Sequence, residues 1–140
     1  MTRLALASRV GLLALLGLLA LLALLAPGCA ADEPPLFGPP TQSECPPAGS
    51  TLTWDNFGNT FMSAYCTRCH HTELRGEARH GAPSFHDFDT AKGVRVVKEH
   101  VDETTASGPA ATNKSMPPDG AMPTLEERQQ LGEWLACGAL

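Results

Sequence analysis

Residues 53–70 read TWDNFGNTFMSAYCTRCH, a helical pattern that runs directly into two thiols three positions apart with an imidazole after the second. The Thr53 hydroxyl can accept from the orphan amides of a first helical turn, and Asp55 favours the same end through the helix dipole. Phe57, Phe61, Ala64 and Tyr65 recur at helical spacing, with Gly58, Met62 and Tyr65 in an adjoining row. The pattern therefore predicts a helix with a broad apolar face that ends at Cys66. The fold depends on what Cys66, Cys69 and His70 hold.

Three chemistries compete for CTRCH. Two thiols on one turn can each add across a vinyl group of haem, and the next imidazole then lies under the iron. C-x-x-C-H carries that signature. On this reading Cys66 and Cys69 form thioethers, His70 is the proximal ligand, and Thr67 and Arg68 are spacers. Zinc would use the pair as half of a tetrahedral site. His70, His71, His80 and His86 could supply donors, but no second pair follows at a familiar spacing. A redox dithiol usually opens a helix after a strand, whereas this motif closes one.

A haem iron needs a second axial ligand. Methionine sulfur suits it and raises its potential relative to stronger donors. Met116 in SMPP lies on a loop stiffened by adjacent prolines; Met122 in AMP is the runner-up, and Met62 reads as core filler. His71, His80, His86 and His100 read as surface or loop residues.

Two further helices are predicted. In PTLEERQQLGEWLACG, Thr124 and Glu127 form a capping box, Leu131, Trp134 and Leu135 make one stripe, and Gly138 can close the helix. In FDTAKGVRVVKEHVDETTASG, Thr90 is a cap and Val94, Val97 and Val101 share a face, although Gly93 and the β-branched residues weaken the helix. Residues 72–89 and NKSMPPDGAMP read as loops, and no strand pair is evident.

The N-terminal third has other uses. Arg3 and Arg9 precede an apolar run, Val10 to Leu25, that Pro27-Gly28 ends; residues 1–28 read as an export signal, with a retained anchor as the rival. LLAPGC resembles a bacterial lipobox, which implies lipidation of Cys29; ordinary cleavage nearby is the alternative. A lipidated cysteine carries more than one chain, enough for a stable anchor. Residues 29–50 hold six of the 12 prolines and read as an extended spacer, leaving 51–140 as the domain. Losing Arg3 and Arg9 makes the net charge of −5 two units more negative. So acidic a domain is a poor partner for nucleic acid.

CTRCH followed by MPPDGAMPTLEERQQLGEWLACG resembles the small class I monohaem cytochromes c, over roughly residues 53–138. The resemblance implies an all-α fold of three to four helices wrapped around one covalent haem c, with the N- and C-terminal helices crossing closely. Gly58 and Trp134 match the small residue and the aromatic at that crossing. The family's proline carbonyl that accepts from the proximal histidine Nδ1 is matched by Pro83, and Arg79 is a candidate for a haem propionate, with a solvated arginine as the alternative. The crossing would also bring Cys45 and Cys137 together, and an exported chain permits a disulfide.

The function implied is electron transfer without catalysis, with other redox proteins as donor and acceptor. The chain would face the periplasm as a membrane lipoprotein, the outer membrane being favoured by Ala30 after Cys29, or be soluble there. The alternatives are a haem-based gas sensor or small haem enzyme with a displaceable Met116, and a structural zinc module.

Overall fold

The computed structural model describes residues 36–140. The signal at 1–28, the lipidation candidate Cys29 and the first part of the spacer lie outside the described residues. Among the described residues the architecture is helical, with no strand and one isolated antiparallel bridge between Ser107 and Thr112. No helix among them is long and apolar enough to cross a membrane.

Thr53 caps the first element as its residue type predicts. Its hydroxyl accepts from the Asn56 amide, and the Asn56 side chain accepts from the Thr53 amide. A π-helical turn, Trp54–Gly58, continues into α1, Asn59–Tyr65, and Phe57, Phe61 and Met62 are buried. The last helix, here α4 (Leu125–Ala136), opens on the Thr124–Glu127 capping box. Leu131, Trp134 and Leu135 form its buried stripe. Gly138 follows at φ +86°, a left-handed value that glycine adopts without a Cβ penalty. The two ends of the domain meet where Gly58 lies against the Trp134 indole. Phe57 packs edge-on to the same ring at 6.0 Å.

The middle helix is two helices. Thr90 caps α2, Ala91–Val96, and the chain breaks at Val97 (φ −129°, ψ 31°) before α3, Lys98–Thr105. Consecutive Val96 and Val97 lose side-chain freedom in a helix, which favours a break there. Val94, Val97 and Val101 are nevertheless all buried, so the apolar face survives the bend. Gly93 is a packing requirement: a Cβ there would stand 1.8 Å from the Asp87 carbonyl oxygen.

The expected spacer is corrected over 36–50, which belongs to the domain. Thr41 is fully buried, and its amide and hydroxyl donate to the two Asp102 carboxylate oxygens at 2.8 and 2.5 Å. The Gly38 amide donates to the Glu103 carbonyl, and the Asn113 side chain donates to the Pro39 carbonyl. The prolines keep this segment out of helix, and such irregular chain exposes peptide groups that α3 and the following loop can bond. Cys45 is joined to Cys137 by a disulfide, Cα to Cα 4.8 Å, which ties the strap to the end of α4.

Candidate functional site

The CTRCH turn follows from the end of α1. The Cys66 and Thr67 amides both donate to the Met62 carbonyl, and the Cys69 and His70 amides both donate back to the Cys66 carbonyl at 3.1 and 3.0 Å. One tight turn therefore carries both cysteines, and neither is in a disulfide. Cys66 packs against the core, and burial, reinforced by Cys69, pushes its thiol up to about 12. It is a protonated thiol at neutral pH, with none of the thiolate character that exchange chemistry requires.

His70 is held on two sides. Its Nδ1 donates to the His86 carbonyl at 3.0 Å, and its ring lies parallel to Phe88 with centres 4.5 Å apart. With Nδ1 carrying the proton, Nε2 carries the lone pair, and no protein group hydrogen-bonds it among the described residues. Burial lowers the His70 pKa, against the opposing His86 carbonyl, so the ring is neutral as a metal ligand must be.

The acceptor for His70 is thus the carbonyl of His86, three residues beyond the expected Pro83. The Pro83 carbonyl accepts instead from Arg79 and from the His86 amide. The reading of Arg79 is corrected too. It is neither solvated nor free for a propionate, being buried with every N–H engaged. Nε donates to Ala82, Nη1 to the His71 carbonyl and to Asp87, and Nη2 to the carbonyls of Pro83 and His86. A guanidinium has five donors, and all five hold the 71–87 loop in the shape that presents the His86 carbonyl to His70.

Met116 lies half-buried on the loop after α3, with its amide donating to the Thr104 carbonyl at 3.0 Å and its carbonyl accepting from Arg128 at 3.2 Å. Met122 is largely exposed.

Two residues that the sequence reading left without a role connect this loop to the thiols. Arg68, read as a spacer, pairs with the Asp119 carboxylate and donates to the Asp119 carbonyl, so the CTRCH turn is tied to MPPDG. Buried Arg128 donates through Nη1 to the carbonyls of Thr105, Asn113 and Met116, and its charge is felt at Cys66. A signal for Arg128 exists in the sequence. A cation in the first turn of a helix opposes the dipole, and its presence after Glu126 and Glu127 calls for another purpose.

The histidines divide. His80 and His100 are exposed as expected, but His86 is buried, with its Nε2 3.3 Å from His100 Nδ1. Among the described residues no three His, Cys, Asp or Glu side chains cluster as a metal site would. The chain matches no family model, no curated protein and no solved structure.

Proposed function

We propose that the chain is an electron-transfer haem protein of the cytochrome c type. It would hold one haem through thioethers to Cys66 and Cys69, with His70 Nε2 and the Met116 sulfur as axial ligands. The observation that carries the reading is His70: Nδ1 anchored on a carbonyl, Nε2 left with its lone pair, and two unpaired thiols on the same turn. Anchoring the far nitrogen fixes the ring and raises its donor strength.

The rival chemistries fit less well. A dithiol redox centre needs a lowered thiol pKa, and that of Cys66 is raised. A structural zinc ion needs four donors, and the cysteine pair has no second pair beside it among the described residues. Bound here, a haem would supply one-electron exchange between ferric and ferrous iron. The polypeptide's part is to hold both axial donors. Arg79 shapes the loop behind His70, while Arg68, Arg128 and the prolines around Met116 fix the loop that carries Met116. With both positions filled, no catalysis is expected.

The acidic chain would meet other redox proteins in brief, salt-sensitive encounters. The Cys45–Cys137 disulfide fits an exported chain. Lipidation of Cys29 would hold it to a membrane facing the periplasm, and the strap from residue 36 onward would travel with the domain.

The test is the absorption spectrum of protein produced with a haem-attachment system, followed by extraction into acidified organic solvent. The expected result is a haem spectrum that stays with the polypeptide. Pigment that washes out, or protein that is colourless, overturns the proposal.

A further inference from the structure

His86 and His100 come from different elements, the 71–87 loop and α3, yet the buried His86 ring meets the exposed His100 ring. His86 Nε2 and His100 Nδ1 are 3.3 Å apart, and the ring centres are 5.2 Å apart with the planes at 51°. A direct N–H···N bond is one way to bring two imidazoles this close. That distance lies at the long end for such a bond. A linear bond of that length would also hold the ring centres about 5.6 Å apart, since each nitrogen stands about 1.2 Å from its ring centre. The rings are closer than that, so the contact is bent away from a linear bond.

A metal ion bridging the two nitrogens fits the same spacing. A tetrahedral ion about 2.05 Å from each imidazole nitrogen sets the nitrogens about 3.3 Å apart and the ring centres about 5.2 Å apart. We infer that His86 and His100 form a two-histidine site for a borderline divalent transition-metal ion, of the zinc or copper(II) kind. Phe37 packs on His100 at 4.9 Å and Phe85 stands edge-on to His86 at 4.7 Å, which limits the rotation of both rings. The one nearby guanidinium, Arg79, is paired with Asp87 at 2.8 Å, which offsets its repulsion of a cation. His100 is exposed, and water or a side chain from a partner would complete the coordination.

The site shares a residue with the haem reading, because His86 gives its carbonyl to His70 and its ring to the ion, but it does not depend on that reading. Calorimetric titration of the full mature chain with Zn²⁺ at neutral pH tests it. The expected result is saturable binding of one ion per chain that weakens at least tenfold in His100→Gln and is unchanged in His80→Gln. His100 is exposed, so its replacement leaves the fold intact, and circular dichroism of the variant verifies that. Dependence on His100 also separates this site from zinc held by the Cys66 and Cys69 thiols. Absence of binding, or binding that His100→Gln leaves untouched, overturns the inference. Colourless protein would count against the haem proposal alone.

Discussion

Gly58 lies so close beneath Trp134 that a Cβ built on it would stand 2.6 Å from the indole Cζ2. Real side-chain atoms do not approach so closely, and Trp134 cannot retreat. It is fully buried, touches Phe57, and its Nε1 donates to the Leu140 carbonyl at 3.0 Å. The first element and α4 can approach this closely only because residue 58 has no side chain.

Gly58→Ala therefore separates two effects of opposite sign. Helix propensity alone expects alanine to stabilise by about 1 kcal/mol. Overpacking against an immovable indole expects a loss of about 1–3 kcal/mol. We expect the loss, read as a lower urea midpoint with unchanged slope. A variant as stable as the wild type would mean that the crossing has room to open.

Arg79→Ala is expected to cost about 3 kcal/mol or more, because it takes their Arg79 partner from the half-buried Asp87 carboxylate and from four carbonyls. Arg79→Lys should recover only part of this, since an ammonium has three donors and cannot span the fork. Amide hydrogen exchange gives the local readout, with faster exchange confined to residues 71–87. A loss of protection spread evenly over the domain would contradict the loop-shaping role.

The Cys45–Cys137 bridge closes a loop of sequence separation 92. On the chain-entropy model its removal lowers stability by roughly 4–5 kcal/mol. Denaturation of the Cys45→Ser, Cys137→Ser double variant against wild type measures this. A difference below about 1 kcal/mol would show that the strap is held chiefly by the Thr41–Asp102 bonds.

Much of this was legible in the sequence wherever the determinant is local. Thr53, Thr90 and Thr124 cap where their residue types say they should, because a cap is satisfied within three residues. The Gly58–Trp134 contact followed from the family resemblance. The misreadings are all long-range. Proline in 36–50 rightly signals that no helix forms there, but nothing local says that Asp102, 61 positions after Thr41, will bond it. Arg79 and Pro83 lie in the segment that was expected to shape the site, yet which carbonyl faces His70 is decided by how five donors fold the whole loop. His86 lies in a loop as its sequence reads, but its burial depends on His70, Phe88 and His100 arriving from three directions.

Acid should weaken the start of α4. The Thr124 amide above all, with the Thr124 and Tyr65 hydroxyls adding to it and burial opposing, holds Glu127 below its ordinary 4.5. A carboxylate with a depressed folded pKa contributes stability that is fully present above its unfolded value and is lost as pH falls through the folded one. Wild type should therefore exceed Glu127→Gln in thermal midpoint at pH 7, with the gap closing below about pH 4.5. A gap that is independent of pH would show that the contribution comes from shape and not from charge.

On the haem proposal, the distal ligand is the sharpest remaining choice, and the anchoring of the loop supports Met116. Met116 is fixed at its amide by Thr104 and at its carbonyl by Arg128, so its side chain starts from a rigid base. Met122 is 49% exposed. A weak iron–sulfur bond survives only where the sulfur is held in place without further ordering cost. In haem-loaded, oxidised protein, Met116→Ala should abolish the weak near-infrared sulfur-to-iron band, while Met122→Ala should leave it. Rapid carbon monoxide binding by the reduced Met116→Ala protein, absent in wild type, would show the same vacancy from the ferrous side. The reverse pattern, with the band lost only on replacing Met122, would move the ligand six residues along the loop. Carbon monoxide binding by the wild type itself would replace electron transfer with a ligand-sensing role.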